Sequence, residues 1–342
     1  MRRTSVDTPA VLREVKKRKR AIGGPLKNDT ITFAVVMVLT AMIFGVSPAK
    51  ATDISGTIVS TVVITQDSRL TGDVICNVAN GTPCIFFAAP RIELKMNGHS
   101  MTGKGARDVC PAPVFGEYGI STNGQNRVSI EGPGLITNFR DISIFVTGDD
   151  TEVEGVTVVS GCTEGIHLEG SHNTAIDNTV VRASLDGNFW ASIFVSGSGM
   201  HVVRHNEVIA AGPDAHGAVP PGFGGGHGII VGSANFCSGV PTKNNLIEDN
   251  NLSGNNGEGI LLASATLAPS YCFNTTGNVI RNNIIFGNTS YFDIYDYNAA
   301  GSNTFESNAC EVSGGPGATG VCPKVTKNSG YENPIEDLFG IF

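Results

Sequence analysis

The sequence predicts an all-β solenoid, in which short parallel strands stack coil upon coil along one axis. Three features predict it: a recurring short apolar segment centred on an isoleucine, apolar and polar residues that alternate for only a few positions, and 43 glycines in 342 residues. Such brief alternation has the period of a strand and is too short for a helix. Glycine tolerates the positive φ of sharp corners. Because one unit cannot bury its own apolar side, neighbouring units must stack on it.

The apolar segment recurs as YGISTNG, SIFVTGD, EGIHLEGS, SIFVSGS, HGIIVGS, EGILLAS and FDIYDYN, at spacings of 22 to 36 residues. The aligned isoleucines are Ile120, Ile144, Ile166, Ile193, Ile229, Ile260 and Ile294. Parallel stacking at about 4.8 Å per coil would place these isoleucines in one buried column. A second apolar segment follows, and its asparagines are predicted to form a side-chain ladder at a corner. These asparagines are Asn178, Asn206, Asn250 and Asn282.

Several stretches carry a resemblance to a known family. ITQDSRLTGDVIC and IELKMNGHSMTG resemble the opening coils of right-handed parallel β-helix repeat proteins, in the pectin-lyase-like superfamily. EGIHLEGSHNTAIDNTVV and NNLIEDNNLSGNNGEGILL resemble the standard coils of the same proteins. The likeness covers about residues 55–310 and implies a right-handed parallel β-helix of roughly eight to ten coils. That superfamily contains lyases, hydrolases, epimerases, phage tailspikes and adhesins, so the resemblance alone does not determine the function.

The chain divides into four predicted segments. Residues 1–51 combine a long basic stretch, an apolar run (Ile31–Val46) and the motif Ala49-x-Ala51, which is the layout of a cleaved secretory signal peptide. A membrane anchor is the alternative, but a span needs about 20 apolar residues and this run is shorter. Residues 52–115 are predicted to hold an N-terminal cap and the first coils, 116–310 the repeats, and 311–342 a C-terminal cap or tail. We therefore expect a secreted, periplasmic or cell-surface protein.

Without residues 1–51 the chain is strongly acidic. That segment holds ten of the 23 Lys and Arg residues and three of the 31 Asp and Glu residues, which leaves 13 basic and 28 acidic groups and a formal net charge of −15. Such a surface repels nucleic acid, so we expect no nucleic-acid partner, and no membrane contact beyond the signal peptide. It would also repel a polyanionic glycan unless a bound cation bridged the two.

All eight cysteines follow residue 51, and an even number in an oxidising compartment predicts disulfides. Eight cysteines allow 105 pairings. Short local loops favour Cys76–Cys84 and Cys310–Cys322, equivalent places in the loops of adjacent coils favour Cys237–Cys272, and Cys110–Cys162 remains. Neither a CxxC pair nor an HExxH motif supports zinc, so we expect no metal ligands. We also expect no cofactor; Ca²⁺ is an option that no motif in the sequence supports.

Long insertions at 211–226, 233–243 and 263–277 direct attention to the outer side of the later coils. The positions immediately before and after each aligned isoleucine are predicted to face outward. His227 and Glu258 occupy the same position, two before the isoleucine, on adjacent coils, and would be near enough for a hydrogen bond. A carboxylate there would orient the imidazole and raise its basicity, as a general base requires.

Other residues join this candidate site. Asp214 and His216 in the first insertion and Asp293 beyond Glu258 complete the predicted catalytic set. The predicted substrate contacts are Trp190, Tyr295 and His167. Plainer interpretations stay open: His227 and Glu258 as an ordinary polar pair, Trp190 as packing against a loop, and a solvated surface cluster formed by Glu164, His167 and Glu169.

The catalytic motifs of the superfamily are incomplete in this chain. Gly226-His227-Gly228 resembles the GHG motif of polygalacturonases, yet the coils before it lack the aspartates that an inverting hydrolase needs about 6.5–9.5 Å apart. Neither the Trp-Ile-Asp-His motif of pectate lyases nor a clear column of aspartates is present. The tetrapeptide Asp214-Ala215-His216-Gly217 departs from the Asp-Pro-His-Asp motif of alginate epimerases at two of four places.

Two functions are therefore left open. The first is a secreted β-helix that binds carbohydrate, or presents its surface to a polysaccharide or cell-surface glycan, without catalysis; the acidity and the incomplete motifs favour it. The alternative is a polysaccharide-active enzyme, a lyase, hydrolase or epimerase, with its site in the later coils near His227 and Glu258. The clustering of insertions on consecutive coils favours that alternative.

Overall fold

The computed structural model describes residues 51–110, 112–186, 190–212, 225–233, 240–265, 274–288 and 292–322. These residues form two sheets whose strands pair in parallel from coil to coil, as the repeat predicts. They contain 26 strands and one short helix, α1 (Gly315–Ala318). Residues 1–50 of the predicted signal peptide lie outside the described residues, and so do Asp214, His216, Cys237 and Cys272.

One sheet has ten strands and contains the aligned isoleucines. Its strands are β2 (Val62–Ile64), β4 (Ile85–Phe87), β7 (Ile120–Ser121), β9 (Ile144–Val146), β11 (Ile166–Leu168), β14 (Ala191–Val195), β17 (His227–Val231), β20 (Ile260–Leu262), β23 (Ile294–Asp296) and β26 (Ser313–Gly314). The isoleucines pair in the predicted register from Ile120 to Ile294, and Ile85 and Val62 extend the column toward the N-terminus. Each aligned isoleucine is fully buried, which confirms the column.

The other sheet has sixteen strands. They are β1 (Thr52–Ile58), β3 (Ser68–Cys76), β5 (Glu93–Lys95), β6 (Ser100–Thr102), β8 (Ser129–Thr137), β10 (Glu152–Val159), β12 (Thr174–Ile176), β13 (Thr179–Val181), β15 (Val202–Arg204), β16 (Glu207–Ile209), β18 (Leu246–Glu248), β19 (Asn251–Ser253), β21 (Val279–Arg281), β22 (Ile284–Phe286), β24 (Thr304–Glu306) and β25 (Ala309–Cys310). The long strand β10 pairs with both β12 and β13, and from there on each coil has two short strands separated by a corner.

A ladder of buried asparagines stabilises this corner. Each side-chain Nδ2 donates to the Oδ1 of the asparagine one coil further on, at 2.9 to 3.0 Å. The members are Asn178, Asn206, Asn250, Asn283 and Asn308. Because every buried amide in the series has a partner, the polar corner does not carry the cost of unpaired groups inside the solenoid.

The predicted ladder is wrong at one member, since Asn283 occupies the place expected for Asn282. Leu252 pairs with Ile285 and not with Ile284, so the asparagine two positions before the buried residue is Asn283. Asn282 precedes it in the left-handed region, with φ +55°, where asparagine is tolerated. The run Asn282-Asn283-Ile284-Ile285 fits both registers, and only the pairing of the strands distinguishes them.

Disulfides and a short terminal segment complete the coils. Cys76–Cys84, Cys110–Cys162 and Cys310–Cys322 are confirmed, whereas Cys237–Cys272 lies outside the described residues. Ala318 in α1 and Cys322 join the main apolar core, so the segment after β25 covers the last coil. Within the described ranges, no helix has the length and hydropathy needed to cross a membrane.

Candidate functional site

Two columns of side chains lie side by side on the outer side of the ten-stranded sheet. The outer column holds the residue after each aligned isoleucine: Ser121, Phe145, His167, Phe194, Ile230, Leu261 and Tyr295. The leading column holds the residue two positions before it: Tyr118, Ile142, Glu164, Ala191, His227, Glu258 and Phe292. The ring centroids of Tyr118 and Phe145, and those of Phe292 and Tyr295, are both 4.8 Å apart, so the two columns touch.

The outer column is apolar over much of its length and forms its own buried cluster. Phe194, Ile230 and Leu261 pack together with Ala191 and Ala263, in a cluster separate from the core of the solenoid. Strand alternation turns Ile229 into the core and Ile230 to the other side. The prediction that the position after each isoleucine faces outward is therefore confirmed. Phe194, Ile230 and Leu261 are nevertheless buried.

Where glycine stands immediately before the aligned isoleucine, that position faces into the solenoid, so the prediction that it faces outward is wrong there. Glycine holds this position in several coils. A Cβ at Gly165 would lie 2.5 Å from Val180 Cγ1, and one at Gly259 would lie 2.2 Å from Ile285 Cγ2. Because both neighbours belong to the core, the chain bends at the start of these strands and leaves no room for a side chain.

His227 and Glu258 form the predicted pair. His227 is the first residue of β17, and Glu258 lies on the next coil, two residues before β20. His227 Nδ1 lies 2.7 Å from Glu258 Oε2 and 3.2 Å from the Glu258 backbone nitrogen, and both side chains are 1% exposed. The shorter contact and the buried carboxylate favour an Nδ1–H that donates to Oε2. His227 Nε2 and Glu258 Oε1 are buried atoms with no hydrogen-bond partner among the described residues. They are the atoms through which a ligand would bind this pair.

Small residues and one tryptophan position the imidazole. A Cβ at Gly257 would lie 2.5 Å from His227 Nδ1, so glycine leaves the space that the ring fills. The backbone carbonyl of Trp190 accepts hydrogen bonds from the N–H groups of Gly226 and His227, at 3.3 Å each. Trp190 is half-buried and lies one coil before His227, where the alignment placed it.

Tyr295 belongs to this part of the site, whereas the carboxyl of Asp293 is directed elsewhere. Burial and the nearby charge of Glu258 raise the pKa of Tyr295. Asp293 accepts hydrogen bonds from Asn288 Nδ2 at 2.9 Å and from two backbone N–H groups after β25, at 2.7 and 3.1 Å. Burial raises the pKa of Asp293. Both of its oxygens hold neighbouring coils together, and the structure does not bring them to His227.

A second buried pair lies two coils earlier, where a solvated cluster was the plainer interpretation. Glu164 and His167 are 0% and 5% exposed, so that interpretation is wrong for these two residues. His167 Nδ1 lies 2.6 Å from Glu164 Oε2, and its Nε2 lies 2.9 Å from Ser196 Oγ. The first contact is an ion pair without an aligned hydrogen bond. Burial opposes a charge on His167, but Glu164, Glu169 and Asp141 raise its pKa above the ordinary value.

Asp141 and Ser196 are neighbours of this pair that were not predicted from the sequence. Burial raises the pKa of Asp141 to about 6, although Gly116 N–H and Thr163 Oγ1 donate to its carboxylate and act in the opposite direction. Burial and the charges of Asp141, Glu164 and Glu169 raise the pKa of Tyr118 to about 12. Asp141 and Ser196 lie three positions before and after an aligned isoleucine, so the alignment of the coils could have placed both beside His167.

Aromatic rings lie on both sides of His167, and a second group of rings lies around Tyr295. The His167 ring lies 5.1 Å from Phe145 and 5.0 Å from Phe194, measured between centroids. Tyr295 lies 4.5 Å from Tyr297, and the apolar side chains of Ile230 and Leu261 lie between these rings and Phe194. Among the residues that the structure describes, no group of three or more His, Cys, Asp or Glu side chains is placed to hold a metal ion. The site is therefore an aromatic and apolar strip with two embedded carboxylate–imidazole pairs.

Comparison with known proteins identifies the family. The family described as "Right handed beta helix region" matches residues 142–334, which is more than half of the 342 residues. The chain belongs to the right-handed β-helix family. Strands β9 to β26 and both carboxylate–imidazole pairs lie within the matched part. No curated protein matches this β-helix protein in sequence.

Three solved structures are similar to this β-helix protein. The Dettilon tailspike protein is 14% identical over 77% of this chain, with a TM-score of 0.41, and the chain spans 60% of the tailspike's length. The A-module of the mannuronan C-5 epimerase from Azotobacter vinelandii is 12% identical over 78% of this chain and 86% of its own, also with a TM-score of 0.41. ORF18 of Geobacillus virus E2 is 13% identical over 76% of this chain and 53% of its own length, with a TM-score of 0.27. Likenesses at this level do not bear on the function.

Proposed function

We propose that this β-helix protein is exported and binds a neutral, extended glycan along the outer side of its ten-stranded sheet. The observation that carries the proposal is the aromatic strip beside the buried polar atoms of His227 and Glu258. Half-buried rings such as Phe145 and Tyr295 offer flat apolar faces, which suit the apolar face of a sugar ring. Unpartnered His227 Nε2 and Glu258 Oε1 offer two acceptors for sugar hydroxyl groups, and a few such groups in an apolar setting are typical of ligand sites.

The charge of the chain favours a neutral ligand. Without residues 1–51 the formal net charge is −15, which repels a polyanionic glycan. Repulsion between exposed charges is screened at high salt. We therefore expect a neutral polysaccharide to bind with an affinity that hardly depends on salt, and a uronate polysaccharide to bind only weakly and better as salt rises.

Export is supported by the layout of residues 1–51 and by the three disulfides, which persist in oxidising compartments. Expression with its own N-terminus in a secreting host, followed by N-terminal sequencing of the exported protein, tests it. A mature chain that begins at Thr52 is expected. Retention of the protein in the membrane with residues 1–51 intact would contradict export as a cleaved protein and favour the anchor.

Binding is tested by calorimetry with neutral and uronate polysaccharides, on the wild type and on Phe145→Ala and Tyr295→Ala. Loss of one stacking ring is expected to weaken binding about tenfold, since such contacts contribute about 0.5–1.5 kcal/mol beyond the area they bury. Phe286→Ala is the matched control, because Phe286 is half-buried on the sixteen-stranded sheet. The proposal is overturned if no neutral glycan binds, or if only the control variant loses binding.

A polysaccharide-active enzyme is the second candidate, and the geometry of His227 favours it. With Nδ1 held by Glu258, the unpartnered Nε2 has the arrangement of a general base. Incubation with plant, algal and bacterial polysaccharides, with and without Ca²⁺, tests this candidate. Release of unsaturated or reducing ends that is abolished in His227→Ala would support it. Binding without turnover, unchanged in that variant, would contradict it.

A further inference from the structure

The second buried pair is part of a line of three functional groups that spans two coils. Glu164 Oε2 lies 2.6 Å from His167 Nδ1, and His167 Nε2 lies 2.9 Å from Ser196 Oγ. We propose that Ser196, His167 and Glu164 form a nucleophile, base and carboxylate that hydrolyse small O-acyl esters carried by a bound glycan. This order of groups defines a serine hydrolase triad by geometry, whatever the fold or the order of the residues in the chain.

The stacking of coils holds the three groups in place. Glu164 and His167 flank Ile166 in β11, and Ser196 follows β14, which pairs with β11 in register. The distance from Ser196 Oγ to His167 Nε2 lies within the reach of about 2.6–3.2 Å that a base needs. Phe145 and Phe194 enclose the imidazole on both sides, which restricts its rotation. The pair of Glu164 and Nδ1 is less well aligned, as catalytic contacts often are before a substrate binds.

Burial limits the acyl group that the triad can accept. Ser196 is 0% and His167 is 5% exposed, so the reacting hydroxyl lies beneath the outer surface of the sheet. The acyl carbon must approach Oγ to about 3–3.5 Å, which a compact group such as acetyl achieves with the least displacement of neighbouring side chains. That the ester is carried by a glycan rests on the proposed function, whereas the triad itself does not.

The reaction balances with ester and water alone. Ser196 Oγ attacks the acyl carbon while His167 Nε2 takes the hydroxyl proton, and the sugar hydroxyl leaves with that proton. Water then attacks the acyl-serine, gives its proton to His167, and releases the carboxylic acid as the proton returns to Ser196 Oγ. Glu164 stabilises the imidazolium in both steps, and its buried charge has no other partner among the described residues.

Hydrolysis of 4-nitrophenyl acetate and labelling by a fluorophosphonate test the triad on the mature chain. We expect turnover above the buffer rate and a covalent label on Ser196. Ser196→Ala is expected to lower turnover about a thousandfold or more, and Glu164→Gln to lower it by a smaller factor with a changed pH profile. Ser192→Ala is the matched control, because Ser192 is an equally buried serine in β14, and it is expected to retain turnover.

Three results would overturn the triad: no turnover, turnover retained in a folded Ser196→Ala variant, or a label on another residue. If Ser196→Ala does not fold, the triad is tested by identifying which residue of the wild type carries the fluorophosphonate label. Failure of the triad and failure of the proposed function are distinguishable, because the small ester needs no glycan site. Glycan binding without ester turnover would overturn the triad alone. Ester turnover without glycan binding would overturn the proposed function and leave the triad.

Discussion

Glu164, His227 and Glu258 bury polar atoms that have no hydrogen-bond partner among the described residues. A buried polar atom of this kind costs about 1–3 kcal/mol. Folded proteins leave few such atoms, and those that remain require an explanation such as a ligand or a catalytic role. Among the described residues, all of the carboxylate and imidazole atoms of this kind belong to the two carboxylate–imidazole pairs beside the ten-stranded sheet. That concentration is the physical reason to place the function on the ten-stranded sheet.

The position of the His227 ring depends on the absence of a side chain at residue 257. In Gly257→Ala the new Cβ would lie 2.5 Å from Nδ1, so the ring must leave its present position beside Glu258. We expect a loss of about 1–3 kcal/mol in the free energy of unfolding, and a changed imidazole signal for His227 in NMR spectra. Gly72→Ala is the control, since its Cβ would meet only Ser55, at 3.2 Å and more. An unchanged His227 signal in Gly257→Ala would contradict this account of the pair.

At the corner between the two short strands of each coil, hydrogen bonds determine which residue can be present, and apolar packing does not. Asn250 illustrates the ladder: its Oδ1 accepts from the backbone N–H and the Nδ2 of Asn206, and its Nδ2 donates to Val203 O and Asn283 Oδ1. No side chain without both a donor and an acceptor can take this place. The ladder therefore fixes the register of the two short strands in each coil.

Asn250→Ala tests the contribution of one member of the ladder. The change leaves several buried groups unpaired, each at a cost of about 1–3 kcal/mol, so we expect a loss of at least about 3 kcal/mol. Chemical denaturation measures it. Asn251→Ala is the control, because Asn251 is exposed at the start of β19 and is expected to change stability by less than about 0.5 kcal/mol. Equal losses of unfolding free energy in the two variants would show that the ladder does not contribute to stability.

A histidine takes the place of asparagine in a second corner series and makes it sensitive to acid. His201 N–H donates to Asn245 Oδ1 at 2.9 Å, Nδ1 accepts from Asn173 N–H at 3.2 Å, and Nε2–H donates to Ser196 O at 2.7 Å. Burial lowers the pKa of His201 to about 4. The unfolded chain, with a pKa of about 6.5, takes up the proton first, so stability falls as the pH drops from about 6.5 toward 4, by at most about 1.4 kcal/mol per pH unit.

His201→Asn tests this sign. Asparagine keeps a donor and an acceptor at the corner and does not titrate, so the variant should lose less stability than the wild type between pH 6.5 and pH 4.5, by about 1–2 kcal/mol. Asp141 titrates in the same range with the opposite sign, but it is present in both proteins and cancels. His172→Asn, at an exposed position, is the control. Parallel stability curves for wild type and His201→Asn would contradict the prediction.

At the scale of the whole molecule, the features that recur in every coil could be predicted from the sequence. The features that the repeat does not determine could not. The isoleucine register from Ile120 to Ile294 is correct, because each coil needs the same buried residue at the same place. The inward turn at Gly165 and Gly259 was missed, since a bend at the start of a strand leaves the local alternation intact. The His227–Glu258 pair followed from the register. Its burial did not, because contacts from outside the coil decide how exposed an outward side chain is.

The ends of a solenoid are its weakest parts, since the last strands have a neighbour on one side only. At the C-terminal end, Cys310 in β25 and Cys322 are joined by a disulfide and are buried with Ala318 against the last coil. The double variant Cys310→Ala and Cys322→Ala removes this constraint. We expect it to lower the free energy of unfolding of the end segment by about 2–4 kcal/mol.

Hydrogen–deuterium exchange locates this loss. Because stability in a solenoid is a sum of contacts between neighbouring coils, exchange should accelerate in β25 and β26 and, less strongly, in β22 and β23, which pair with them. Amides of β9 and β11, several coils away, should exchange at the wild-type rate. Replacing Cys76 and Cys84 instead should reverse the pattern and accelerate β2 to β4, where that disulfide lies. A uniform acceleration in either variant would show that the coils unfold as one cooperative unit, and that the end disulfides act on the whole solenoid instead of protecting its ends.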